Sequence, residues 1–94
     1  MDLKKFKETL SNNLPPATLS VYTESLWYDA KGDWNKAHQL IQDLPDKKAA
    51  WIHAYLHRKE GDSWNADYWY NRAGRKRLVV SLHEEWEQIV AALL

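Results

Sequence analysis

Four histidines are the residues of this 94-residue chain best suited to chemistry, and two of them share one predicted helix face. His53 and His57 are four residues apart, the spacing at which two imidazoles on a helix can bind one metal ion. A zinc site needs three or four ligands, so the pair alone predicts none unless His38, Glu60 or Asp62 comes close in the fold. Two histidines hydrogen-bonded between helices are therefore the favoured interpretation, and no metal or cofactor is expected.

A second polar and aromatic group follows on the next predicted helix. Asn65, Tyr68, Trp69 and Arg72 have the spacing of one helix face. If that face packs opposite the histidines, the two faces form a cleft for a small ligand. In this cleft Arg72 would pair with an anionic group of the ligand and Trp69 would stack on the ligand. A buried hydrogen-bond network that fixes the hairpin is the alternative. The candidate ligand- or partner-binding residues are His53, His57, Arg58, Glu60, Asp62, Asn65, Tyr68, Trp69 and Arg72.

Other chemistry has weaker support in the sequence. His57 with Glu60 or Asp62 is the one grouping suited to general acid–base work, so no catalytic residue is assigned and an enzyme is less favoured than a binding protein. A basic cluster that could touch phosphates consists of Arg72, Arg75, Lys76 and Arg77. The chain has 13 basic and 13 acidic residues, so nucleic acid is not the expected partner.

The composition limits the class of protein. There is no cysteine, which excludes disulfides and thiolate metal sites. No apolar run is as long as a membrane span and no signal peptide is visible, so a cytoplasmic location is expected. One small core cannot fully enclose five of the tryptophans, Trp27, Trp34, Trp51, Trp64 and Trp86. A protein partner or a homodimer could cover some of them; partly exposed rings that cap the core are the alternative.

Apolar residues recur at helical spacing throughout, and no segment alternates like a strand. The pattern predicts one all-α domain over 1–94, with five or six short helices. Helix N-caps are expected at Asp33, Asp46 and Asp62 or Ser63. Ser81 and Glu84 fit a capping box that opens a C-terminal helix over 81–94. Residues 75–80 are expected to form a connector.

Two Gly-Asp turns divide the centre of the chain into similar units. Gly32-Asp33 and Gly61-Asp62 lie 29 residues apart. In both units the glycine can turn the chain, the aspartate can cap the next helix, and a small residue, Ala37 or Ala66, lets two helices approach closely.

Residues 18–74 resemble tetratricopeptide-type repeats, whose second helix opens with Gly-Asp and a small alanine. The resemblance implies two antiparallel helix hairpins. The second unit is also similar to a family of short proteins without an established activity, through HAYLHRKEGD at 53–62 and NADYWYNRAG at 65–74. The leading hypothesis is a helical binding module that takes a small anionic ligand or a protein partner at the second hairpin. A small enzyme or metal protein using His53, His57 and Glu60 is the alternative.

Overall fold

A computed structural model describes residues 1–77 and 79–94, and this part of the chain contains six α-helices and no strand. The helices are α1 (Leu3–Glu8), α2 (Val21–Ala30), α3 (Trp34–Ile41), α4 (Lys47–Glu60), α5 (Ser63–Ala73) and α6 (Leu82–Leu93). A 3-10 turn, Thr9–Ser11, extends α1. The predicted all-α fold is confirmed. The described residues of the predicted connector 75–80 are not helical, and Leu78 lies outside the described residues.

Most of the helix starts follow the predicted capping chemistry. Asp33 and Asp62 accept hydrogen bonds from backbone N–H groups in the first turns of α3 and α5, at 3.1 and 3.2 Å. Ser81 Oγ accepts from the Glu84 N–H at 3.0 Å, which is the serine half of the predicted capping box. The predicted side-chain cap at Asp46 is wrong. Asp46 occupies the N-cap position without a side-chain bond, and it interacts instead with the Tyr22 hydroxyl, whose pKa it raises.

The two Gly-Asp turns have the same geometry. Gly32 and Gly61 both have a φ of 88°, the left-handed region that glycine enters without steric cost. In each turn the N–H of the following aspartate donates to the carbonyl four residues before the glycine, at 2.9 Å. Ala37 and Ala66 are fully buried, so α2 packs closely on α3 and α4 on α5. The tetratricopeptide resemblance itself stays a prediction.

Helix α4 is the centre of the domain, because every residue from 49 to 56 is buried. It packs against α2, α3, α5 and α6. Three tryptophans, Trp27, Trp51 and Trp86, are enclosed in the core, whereas Trp64 is 77% exposed. Within the described residues, no helix has the length and apolar character needed to cross a membrane.

Candidate metal centre

Three of the four histidines meet where α3 packs against α4. His38 lies on α3, whereas His53 and His57 lie one turn apart on α4. The Nε2 atoms of His38 and His53 are 3.0 Å apart. The ring centroid of His57 is 4.9 Å from that of His53 and 5.4 Å from that of His38. His38 is therefore the third group that the sequence alone left conditional on the fold.

The spacing of the ring nitrogens suits a single metal ion. One nitrogen from each ring lies within 4.8 Å of the other two. A tetrahedral Zn²⁺ with bonds of about 2.0–2.1 Å holds its ligand nitrogens about 3.3–3.4 Å apart. The Nε2 atoms of His38 and His53, at 3.0 Å, are already close to that separation. Imidazole ligands suit zinc, copper and nickel, so the cluster can hold an ion of this class.

Glu60 fixes the position of the proton on His57. Its Oε1 lies 2.6 Å from His57 Nδ1. An ionised carboxylate only accepts hydrogen bonds, so Nδ1 donates, and in the neutral ring Nε2 is then the nitrogen with the lone pair. In metal sites a carboxylate behind a ligand imidazole orients the ring and increases its basicity. The grouping of His57 with Glu60, noted from the sequence as acid–base chemistry, thus has the geometry of a ligand and its supporting carboxylate.

Two indole rings cover the histidines. Trp34 stacks on His38 with ring centroids 4.8 Å apart and planes within 11°. Trp69 stacks on His53 at 3.9 Å and 17°. The Trp34 indole N–H donates to the Leu56 carbonyl at 2.8 Å, which fixes that wall to α4. These stacks restrict the rotation of both imidazoles and keep their nitrogens in the convergent arrangement.

The environment keeps His38 and His53 neutral. Burial lowers the pKa of His53 to about 3, with further contributions from the charges of His38 and His57. Burial also lowers the pKa of His38, and the charge of His57 acts in the same direction. The neutral imidazole is the form that binds a metal. Neither ring has to lose a net proton before an ion binds at neutral pH, but the hydrogen that one Nε2 donates to the other must move to an Nδ1 so that both Nε2 atoms present lone pairs.

We expect the metal-free protein to lose stability as the pH falls. A histidine of the unfolded chain binds its proton below a pH of about 6.5, whereas folded His53 does so only at about 3. Between these values the unfolded state holds more protons, so the free energy of unfolding falls by up to about 1.4 kcal/mol per pH unit. Urea unfolding in a chelating buffer measures this slope. His53→Gln should reduce it and His83→Gln should not; an equal slope in His53→Gln would contradict the assignment.

Asp62 and Asn65, two of the predicted site residues, hold the start of α5. Asp62 Oδ1 accepts the backbone N–H of Asn65, and its Oδ2 accepts the Asn65 amide at 2.6 Å. These bonds keep the pKa of Asp62 below its usual value. Asp62 also lies close enough to His57 and Glu60 to form a second ligand group with them. Because both of its oxygens are already engaged, the three-histidine set is the better metal site.

Arg58 is a further predicted site residue whose contacts are internal. Its guanidinium donates to Glu85 at 2.7 Å and to the Val80 carbonyl. The side chain of Glu85 is fully buried, while that of Arg58 is 18% exposed. The arginine therefore joins α4 to α6 through this ion pair.

Glu85 is the important residue that the sequence reasoning missed. Besides Arg58, its carboxylate accepts hydrogen bonds from the Tyr70 hydroxyl at 2.6 and 2.8 Å and from the Trp51 indole at 3.3 Å. One signal was present: Glu85 lies three residues after Leu82, which places it on the apolar stripe of α6. A carboxylate at such a position needs buried donors.

Side chains on the outer face of α5 contact α4 and one another. Trp69 closes onto His53, and the Arg72 guanidinium lies 5.3 Å from the centroid of Trp69 and 5.9 Å from that of Tyr68. Arg72 also donates to the Tyr68 hydroxyl at 3.2 Å. Three cavities lie within the described part of the chain, and none of the predicted site residues lines any of them.

The predicted basic cluster is divided among separate contacts. Arg75 lies 3.5 Å from the ring centroid of Trp51. Arg77 pairs with Asp67 at 3.5 Å. Together with the stacking of Arg72, these contacts direct the arginines toward different neighbours and do not align them along one surface.

No protein-family model matches the chain, and no curated protein or solved structure matches it significantly. Function is therefore inferred from the geometry of the histidine cluster.

Proposed function

We propose that this protein is a metal-binding domain that takes up one divalent first-row transition ion between His38, His53 and His57. The observation that carries the proposal is the convergence of three imidazole nitrogens within 4.8 Å of one another. Zn²⁺ and Cu²⁺ are the ions that suit such a ligand set, and the general affinity order of divalent metals favours Cu²⁺.

The arrangement around the three ligands supports the same proposal. Glu60 supplies the carboxylate behind His57, and the indoles of Trp34 and Trp69 hold the other two rings. Because His38 belongs to one helix hairpin and the other two histidines to the next, a bound ion fastens the two hairpins together. A site with three protein ligands also leaves a coordination position for water or a small ligand.

The other hypotheses from the sequence have less geometric support. A partner-binding surface would use Trp64 and Tyr68, which are 77% and 45% exposed and stack with centroids 6.4 Å apart. Binding of a protein partner or a second copy through these rings stays a prediction. An enzyme using His53, His57 and Glu60 stays a prediction, and these residues line none of the three cavities described above.

Titration of the purified, chelator-treated protein tests the proposal. Isothermal calorimetry with ZnCl₂ and with CuSO₄ should give one ion per chain for the wild type. His38→Ala, His53→Ala and His57→Ala should each bind the ion at least about 100-fold more weakly. Loss of a residue that only supports a ligand costs about 10–100-fold in metal affinity, and loss of a ligand itself should cost more. Glu60→Gln should fall within that smaller range, since it removes only the supporting carboxylate.

The fourth histidine provides the matched control. The side chain of His83 is 69% exposed, lies near Glu87 and stands outside the cluster. His83→Ala should bind as the wild type does, and circular dichroism should show that all variants keep their helices. Absence of stoichiometric binding by the wild type, or equal affinity in His38→Ala, would overturn the proposal.

A further inference from the structure

A separate cavity of about 350 Å³ lies where α1, the 3-10 turn, α2, α4 and α6 meet. Its lining shares no residue with the histidine cluster. The volume is within the range of small-molecule pockets, which are mainly apolar with a few convergent polar groups. This cavity has both properties.

Large apolar side chains form its walls. Leu10 follows α1, and Leu82 and Trp86 come from α6. Trp86 is 4% exposed and its indole N–H donates to the Leu26 carbonyl at 3.0 Å, so this wall is fixed and has no polar atom left to satisfy. A ligand that fills the cavity therefore needs an apolar body.

Two lysines and a histidine are among the polar groups that line the cavity. Lys7 on α1, Lys59 on α4 and His83 on α6 approach it from three different helices. Lys7 pairs with Glu87, and Lys59 pairs with Asp29 at 3.0 Å. An ammonium group has three N–H donors, so each lysine keeps donors beyond the one used in its ion pair.

The one acidic group in the lining is already compensated. Asp29 is 2% exposed. One of its oxygens accepts from Lys59 and the other from the Tyr55 hydroxyl at 3.2 Å. The carboxylate is thus held in the floor by its own partners and does not present an attractive site for a cationic ligand. The groups left for a ligand head group are the N–H donors that Lys7 and Lys59 do not use in their ion pairs, and such donors suit an acceptor such as a carboxylate.

We propose that this cavity binds an organic anion with an apolar body, of the class of medium-chain or aromatic carboxylates. The carboxylate would lie between Lys7 and Lys59, where charge-assisted hydrogen bonds are available. The apolar body would pack on Leu82 and Trp86. This site is independent of the proposed metal function, so either can be wrong without affecting the other.

Three ligands with the same chain and different head groups test the charge preference. Calorimetry with octanoate, octanol and octylammonium should show binding of octanoate and at least about tenfold weaker binding of octylammonium, because like charges repel at the rim. In NMR spectra, octanoate should shift the indole N–H signal of Trp86 and leave those of Trp34 and Trp69 in place. Equal binding of all three ligands, or no binding of octanoate, would overturn the proposal.

Two substitutions locate the site. Ala30 lines the cavity and is exposed, so Ala30→Trp should fill the cavity and abolish octanoate binding without entering the core. Lys7→Gln should weaken octanoate about 2–5-fold, the effect of one exposed charge pair. Lys4→Gln removes a lysine of α1 that does not line this cavity and should change nothing. Unaltered octanoate binding in Ala30→Trp, with its melting temperature retained, would contradict the assignment.

Discussion

Replacement of Glu85 by alanine is expected to lower the free energy of unfolding by about 3–5 kcal/mol, the usual cost of removing one partner of a buried ion pair. Glu85 is fully buried and accepts hydrogen bonds from Arg58, Tyr70 and Trp51. Without the carboxylate, the partly buried Arg58 guanidinium loses its ion-pair partner. The hydroxyl of Tyr70 and the indole of Trp51 lose an acceptor at the same time, and each such loss adds to the cost.

Urea unfolding followed by circular dichroism measures this effect. Glu84→Ala is the matched control, because Glu84 is the neighbouring acid on α6 and is exposed. It should change the free energy of unfolding by no more than about 1 kcal/mol, the range of a helix-terminus charge. The double variant Arg58→Met/Glu85→Leu should be less destabilised than the sum of its parts, since it removes both charges together. A cost for Glu85→Ala no larger than for Glu84→Ala would refute the role given to this network.

The second large effect is expected from the metal ion. If the ion binds only the folded protein, Zn²⁺ at 100 times its dissociation constant should raise the free energy of unfolding by about 2.7 kcal/mol. For a domain of this size the melting temperature should rise by about 10–20 °C. The physical reason is that the three ligands converge only when α3 lies against α4, so the unfolded chain does not offer the same site.

Thermal unfolding with and without Zn²⁺ tests this expectation. His38→Ala should lose the zinc-dependent increase in melting temperature, because the ion then contacts α4 alone. His83→Ala should keep it. An equal increase in the wild type and in His38→Ala would mean that zinc acts elsewhere on the chain.

The helices were predictable because each carries local signals. Apolar periodicity marked the segments, and Asp33, Asp62 and Ser81 cap their helices as their positions suggested. Asp46 shows the limit of such reasoning. Asp46 stands at the expected N-cap position before α4, but its side chain makes no hydrogen bond to the helix. Its carboxylate interacts instead with the hydroxyl of Tyr22, a residue distant in the sequence, and raises the pKa of that hydroxyl. A local motif gives the position of a cap and not the partner that its side chain finally takes.

The candidate site was predictable only in part. The spacing of His53 and His57 on one helix face follows from the sequence, and so does the reach from His57 to Glu60. The approach of His38 depends on how α3 packs against α4, which no local pattern specifies. The same reason explains why the cavity lined by Lys7, Lys59 and other residues was not foreseen, since its lining comes from segments far apart in the chain.

The five residues from 42 to 46, between α3 and α4, are the place where the chain can be divided into its two hairpins. A chain cut there leaves His38 on one fragment and the other two members of the cluster on the second. The cluster belongs to the junction between the hairpins, so neither hairpin expressed alone carries all three histidines.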